Sequence, residues 1–387
     1  MKKWKKIIAL LLAVVMLMAV AGCSSEPKDN ESEQSQSQSE NIQSSDPDSS
    51  ADESDENAMR TVVDATGNEI LVPAHPQAIV VIGPVFPNIM FALQGHMNNV
   101  IAIPKSAYTG WEASLMKELS PELQDVNTTI VGSSINMEEL VAAEPDLVLC
   151  WVTSTDTISQ LNDLGIPVAA FKNATDMETL EDLISMMGDV LNCQERAAEL
   201  IEWYDEVEAY IDSKASEIEA LSEDEKPRVL TMSTVEDLSV YATGVDAWIT
   251  EKVGGQNIVL TGESAERSAP TMEEVLVYNP DIIFLSNWDD STPDDLYENR
   301  IEGQDWSNVN AVKNHRVYKV PISLYRWTPP NTVEKPLYYL YMASVIQPEI
   351  FSEIDMIQEE KDFIKKFFGV ELSEEQLNYV FHADLYK

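Results

Sequence analysis

The sequence predicts an α/β protein of two doubly wound lobes joined by a single long α-helix, and three observations carry that prediction. A thirteen-residue block recurs without a gap 135 residues downstream. Short apolar runs of strand length alternate with helical stretches in both halves. Between the halves lies a segment without Pro or Gly that keeps helical periodicity. With 387 residues, 44% apolar and 24% charged, the chain can bury a core in each half.

The elements follow in chain order. Residues 1–22 pair a Lys-rich start, Met1 to Lys6, with the apolar run Ile7 to Val20, which has the length and flanks of an export signal. The run ends in Val20-Ala21-Gly22-Cys23, which resembles a lipobox, so Cys23 is the expected lipidation site. An ordinary signal cut near Ala21 is the alternative. Residues 23–59 are mostly Ser, Gln, Asn and acids, with too few apolar side chains to offset chain entropy, and are expected to form a disordered tether. No later apolar run is long enough to span a bilayer.

Lobe one is expected over residues 60–193, with strand-length runs at Ala78 to Ile82, Val100 to Ile103, Leu147 to Cys150 and Val168 to Phe171. The linker helix is expected over residues 194–226. Leu200, Ile201, Tyr204, Val207, Ile211 and Ile218 form its apolar stripe, a single helix runs from Gln194 to Leu221, and Pro227 closes the segment. Lobe two follows over residues 227–387, with runs at Val229 to Met232, Ile282 to Leu285 and Val317 to Val320. The repeat lies inside the lobes, at Met137 to Leu149 and Met272 to Phe284. In each copy a Ser or Thr stands just upstream (Ser134, Thr271), acids occupy the first helical turn, and Pro-Asp precedes the strand.

Charge and motifs narrow the function. Against 25 Lys and Arg stand 67 Asp and Glu, a net charge of −42 that would repel a phosphate backbone and argues against nucleic-acid binding. The three cysteines have no CxxC spacing and the four histidines no paired spacing, so direct zinc or manganese binding is not expected. Cys150 and Cys193 read as buried free thiols. The sequence contains no GxSxG, P-loop or HExxH, and no enzyme activity is expected.

Two lobes joined by one helix, exported on a lipid tether, resemble the ABC-importer solute-binding proteins that take up siderophores, haem and corrinoids, the class III substrate-binding fold. Several segments carry the resemblance across residues 60–387: Thr61 to Pro73, Asn136 to Leu140 with Pro145 to Leu149, Gly254 to Asn257, Asn279 to Ile283, Trp306 through Tyr318, and Gln347 to Phe351. It implies a ligand held in the cleft between lobes by loops at the strand ends, where open α/β sheets bind. The candidates in lobe one are Phe86, Tyr108, Trp111, Ser133, Ser134 and Trp151. Those in lobe two are Tyr241, Trp248, Arg267, Trp288, Tyr325, Arg326 and Trp327. Aromatic faces with few charges suit a metal chelate, haem or a corrinoid, and Arg326 could pair with an anionic group of such a ligand. Each aromatic also has a plain reading as core, Trp248 foremost, and Arg326 one as a surface arginine.

The resemblance further implies that one acid on each lobe, Glu138 and Glu273, docks on the membrane permease, with Glu139 and Glu274 able to substitute; helix-dipole compensation would place acids there in any case. The expected partners are an ABC permease with its ATPase, a small-molecule metal complex, and the membrane through the lipid anchor. No cofactor is expected, and the chain is read as a monomer. The rival readings are a surface sensory domain without a permease and a surface hydrolase on the same scaffold.

Overall fold

Each of the seven apolar runs contains a strand. The structure, a computed structural model, describes residues 58–132, 134–242, 244–258, 267–328 and 331–386. The export signal, Cys23 and the tether lie outside the described residues, as does Ser133. Residues Ser54–Lys387 form one compact unit.

A hairpin of β1 (Met59–Val63) and β2 (Glu69–Pro73) opens that unit, with Val62 and Val72 on its buried face. The first sheet is all parallel, in the order β4-β3-β5-β6, built from β3 (Ile79–Val81), β4 (Val100–Ala102), β5 (Leu147–Trp151) and β6 (Val168–Phe171). Its strands are buried on both faces, hence the unbroken apolar runs. The second sheet has the order β10-β8-β7-β11-β12, with β9 beside β7. Its strands are β7 (Arg228–Thr234), β8 (Ser239–Tyr241), β9 (Gln256–Asn257), β10 (Arg267–Ser268), β11 (Ile282–Leu285) and β12 (Val317–Lys319). Here β7, β9, β11 and β12 run parallel, while β8 and β10 are antiparallel. In each sheet the chain winds one way from a central strand (β3, β7) and then the other (β5, β11), creating a switch point at the strand carboxyl ends.

Helices α1 (Phe86–Gln94), α2 (Lys105–Glu112), α3 (Met116–Leu119), α4 (Met137–Ala142) and α5 (Thr155–Asp163) accompany the first sheet. Helix α6 (Met177–Leu191) ends at Asn192, whose left-handed φ of 60° turns the chain straight into α7 (Gln194–Ser213). This is the long linker, and it buries Ala197, Leu200, Trp203, Tyr204, Val207 and Ile211. It does not run unbroken to Leu221: the Ser213 hydroxyl donates to the Tyr210 carbonyl at 2.6 Å, competing with the backbone ladder, and α8 (Ala215–Glu219) restarts after Lys214.

Helices α9 (Val245–Lys252), α10 (Met272–Tyr278), α11 (Pro293–Tyr297) and α12 (Asn310–Lys313) accompany the second sheet, followed by α13 (Lys335–Ile346), α14 (Met356–Phe368) and α15 (Glu374–Val380). The last two cross back onto the first lobe and the linker helix. Phe368 stacks on Phe91 at 5.0 Å, Phe363 packs on Trp203 at 4.7 Å, and the Tyr379 hydroxyl donates to the Ala113 carbonyl at 2.9 Å. One apolar cluster therefore runs from Ile79 and Phe171 through Tyr204 to Phe284 and Tyr338, with a smaller cluster on the outer face of each sheet.

The repeat is structural. The α4–β5 and α10–β11 units match, and each Pro-Asp has the same task. Asp146 accepts from the backbone N–H groups of Gln77 (2.6 Å) and Ala78 (3.0 Å), just before β3, and Asp281 accepts from Arg228 N–H (3.0 Å) at the start of β7. The helix caps are Asn136 and Thr271, which accept from the N–H groups of Glu139 and Glu274, each at 3.2 Å; Ser134 stands two residues before the first cap.

Candidate functional site: the interlobe cleft

The lobe-two wall is built where β11 ends. The Ser286 hydroxyl donates to the Ser233 carbonyl at 2.5 Å and Asn287 Nδ2 to the Val320 carbonyl at 2.6 Å, which pins the loop to the ends of β7 and β12. Trp288 comes next, half-buried, its indole N–H donating to the Tyr241 hydroxyl at 2.8 Å at the end of β8. Over its ring, 4.4 Å from the centroid, lies the guanidinium of Arg326. Arg326 Nε donates to the Asn287 carbonyl at 2.7 Å and Nη1 to the Tyr325 hydroxyl at 3.4 Å, while Nη2 has no hydrogen-bond partner among the described residues. At 7% exposure the arginine is held mostly out of water, so its free donor is aimed rather than mobile. Burial pushes the Tyr325 phenol up, and the adjacent guanidinium works against that. A second cation, Lys319, is buried nearby with Nζ donating to the carbonyls of Asp289 (2.9 Å) and Ser291 (2.8 Å), and burial lowers its pKa.

The lobe-one wall is a depression of 580 Å³ at the carboxyl ends of β3 and β4, lined by Ile82, Pro84, Pro104, Ser106, Gly132 and Ser134 among others. Helix α2 joins the two walls. It starts between Pro104 and Ser106 in the depression, and one turn later Gly110 lies so close to Tyr325 that a Cβ would overlap the ring. Only glycine fits at that approach.

The structure sorts the predicted residues. Arg326, Trp288, Tyr325 and Tyr241 form one cluster, with the two tyrosines behind the arginine and tryptophan. Ser134 is exposed in the lobe-one depression. Trp151 is half-buried at the end of β5, its ring 4.3 Å from Phe86. Tyr108 is half-buried on α2, below the Lys105 ammonium and hydrogen-bonded to the Gln124 carbonyl at 3.2 Å. Three candidates are corrected to core. Phe86 and Trp327 are fully buried, and Trp111 is 3% exposed with its indole N–H donating to the Ser120 carbonyl at 3.1 Å. Trp248 packs on Tyr339 at 5.4 Å against the main core, as its plain reading has it. Arg267 lies in β10, paired with Tyr241 in register, and its side chain is outside the described residues.

Three buried ionisable groups beside the cluster were not among the site candidates read from the sequence: Glu334, Lys335 and Glu360, all fully buried. The signal was present for Glu360, an acid in register with Phe363, Ile364 and Phe367 on the apolar stripe of α14. Lys335 Nζ donates to the carbonyls of Trp327 (2.7 Å) and Thr328 (3.1 Å), and burial pulls its pKa down to about 8. Among the described residues no group of three His, Cys, Asp or Glu side chains could hold a metal ion. Cys150 and Cys193 are free, and burial raises the Cys150 thiol to about 12.

Two α/β sheets, each with a switch point at its strand carboxyl ends and linked by a helix, define a two-lobed binding protein of the class III type. The chain belongs to the periplasmic binding protein family, which is matched over residues 79–323. It is 28% identical over 354 residues to YvrC, an ABC transporter substrate-binding lipoprotein of Bacillus subtilis, covering 89% of this chain and 97% of that one. It is 24% identical over 339 residues to the molybdate-binding protein MolA of Haemophilus influenzae, covering 80% and 91%. A periplasmic solute-binding protein from Veillonella parvula superposes with a TM-score of 0.78 at 32% identity, over 85% of this chain and 98% of that one. The protein is a solute-binding protein of the ABC-importer type, and its relatives bind rather than catalyse.

Proposed function

We propose that this chain is a lipoprotein anchored through Cys23 on the outer face of the cell membrane, capturing a metal chelate, haem or corrinoid between its lobes and passing it to an ABC permease. The observation that carries the reading is the Arg326 and Trp288 pair: a cation held over an indole, with one guanidinium nitrogen free, at the switch point of the second sheet. Such a pair suits a ligand with a flat or bulky body and an anionic group. The relatives' ligands point the same way. Besides MolA they include an iron(3+)-hydroxamate-binding protein, FhuD of Bacillus subtilis, at 23% identity over 353 residues, and the haem-uptake protein IsdE of Staphylococcus aureus at 26% over 215.

Delivery would use Glu138 and Glu273. Both are exposed, and neither has a hydrogen-bond or ion-pair partner among the described residues. Their neighbours are committed elsewhere: Glu139 is held by Asn127, Thr129 and Asn136, which lower its pKa, and Glu274 closes the capping box on Thr271. That leaves one free acid at the same place in each repeat, the arrangement a two-fold partner would read. Glu138→Gln with Glu273→Gln should abolish uptake into cells while leaving binding by the purified protein within about twofold of wild type. Undiminished uptake would remove these residues from docking, whereas binding by the native chain with no uptake that depends on it would favour a sensory domain without a permease.

A further inference from the structure

The turn that presents Tyr325 and Arg326 rests on two buried carboxyls. Its backbone closes on itself, with Ile322 bridged to Arg326 and Ser323 N–H donating to the Tyr325 carbonyl at 3.2 Å. From beneath, Glu334 accepts the backbone N–H of Leu324 (3.0 Å) through one oxygen and that of Tyr325 (2.9 Å) through the other. From the side, Glu360 on α14 is hydrogen-bonded through Oε1 to the Ser323 hydroxyl, while its Oε2 is buried with no hydrogen-bond partner among the described residues. Both acids are fully buried.

Among the described residues no cation compensates the pair. Lys335, adjacent in sequence, points its ammonium at the Trp327 and Thr328 carbonyls, and the acid acting on it is Asp246. The other titratable group close to Glu334 is Tyr204 of α7, whose hydroxyl donates to the Val333 carbonyl at 2.5 Å. An acid on the apolar stripe of α14 without a cation costs stability unless it is neutral.

We propose that Glu334, as the carboxylate, and Glu360, as a neutral carboxylic acid, are positioning residues for the ligand site: together they set the turn that aims Tyr325 and Arg326, and its geometry depends on one proton. Burial raises both carboxyls, Glu334 to about 7, but the two backbone donors draw Glu334 back toward the ionised form, so it is the first of the pair to take the charge, while burial and then the Glu334 charge push the Glu360 carboxyl up. At alkaline pH Glu360 gives its proton to hydroxide in solvent, two like charges face each other out of water, and the turn shifts Arg326 off Trp288. The sign for stability is the same. An unfolded Glu ionises near about pH 4.3 while the folded Glu360 holds its proton to higher pH, so stability falls as pH rises between the two values.

The inference rests on the reading of Arg326 as a ligand contact, and the test separates the two. Tryptophan emission of the full chain, compared with Trp288→Phe to isolate Trp288, is followed from about pH 6 to about pH 9.5, a range across which ordinary carboxyls do not titrate. A one-proton transition is expected in the native chain, absent from Trp288→Phe and from Glu360→Gln, with Glu334→Gln giving the alkaline signal throughout. An infrared band of a protonated carboxyl at neutral pH, missing in Glu360→Gln, is the second readout, and Ser323→Ala stands in if Glu360→Gln does not fold. Titrations with haemin, ferrioxamine B and cyanocobalamin should show about tenfold weaker binding at the alkaline end for any probe that binds, and no such loss in Glu360→Gln. An unchanged transition in Glu360→Gln, or no protonated-carboxyl band, overturns the proposal. Binding that survives Arg326→Ala, with the transition present in the native chain and absent from Glu360→Gln, would instead overturn the ligand-contact reading and leave the proton-dependent turn standing.

Discussion

Arg326 gathers the residue-scale argument. Three features of one side chain, a carbonyl bond from Nε, a tyrosine hydroxyl on Nη1 and an indole beneath the plane, leave one guanidinium nitrogen, Nη2, without a hydrogen-bond partner among the described residues in a place where water is scarce. A charge-assisted bond made there is worth about 1.5–3 kcal/mol, so Arg326→Ala should weaken ligand binding about ten- to hundredfold. Arg326→Lys should recover little, because an ammonium cannot hold Asn287, Tyr325 and the ligand while stacking on Trp288. Isothermal titration of the two variants checks this, and full recovery by lysine would mean that charge alone matters. The sequence marked this cluster because Tyr325, Arg326 and Trp327 stand together. It did not reveal which of the three keeps some exposure, since the loop is packed from both sides and the neighbours of Arg326 become core, as Trp327 does. Phe86 and Trp111 were misplaced for another reason: both lie in helices, α1 and α2, on faces turned into the core, and the nearby Pro87 and Gly110 belong to those helices rather than to exposed loops.

At the scale of elements the sequence was far more legible. Strand-length apolar runs in a sheet buried on both faces, and a repeated block with Pro-Asp at its centre, depend on local patterning that survives folding. The structure adds the reason for the aspartate. Asp146 and Asp281 each stitch the start of their own strand to the strand at the centre of the sheet. Replacing either by alanine leaves backbone donors unpaired and should cost about 1–3 kcal/mol, read as a lower midpoint in urea with an unchanged slope. A variant of wild-type stability would reduce the aspartate to a turn-former. What local patterning could not show was the break after Ser213, set by one hydroxyl, or the return of α14 and α15 to the first lobe, which depends on contacts such as Phe91 with Phe368 across more than half the chain.

In the molecule as a whole, ties between the lobes are numerous. Besides α7, the segment around Asn331 bonds to Ala174 N–H at 2.7 Å, Val333 N–H donates to Asn88 Oδ1 at 2.8 Å, and Leu115 N–H donates to the Ser323 carbonyl at 2.8 Å. Gly110 against Tyr325 and Tyr379 on Ala113 add to them. Opening the lobes widely would break this whole set together, so ligand capture should proceed with small backbone displacement, about 1 Å or less between free and bound forms. Small-angle scattering with and without ligand tests it, and a marked contraction on binding would show that the ties open. The net charge of −42 is no obstacle to an anionic cargo at the cleft, because fields from distant carboxylates are screened beyond about 8–10 Å at physiological salt.

The Arg326 and Trp288 pair is proposed to hold a metal-containing solute. This is tested most directly by titrating the compact unit, residues 54–387, with haemin, cobalamin, cobinamide, ferric hydroxamate and catecholate siderophores, and molybdate, while recording tryptophan fluorescence. Saturable quenching by one class at about micromolar concentration or below, lost in Trp288→Phe and Arg326→Ala, is the predicted result. A folded protein that responds to none of them, or a response that both variants keep, would contradict it.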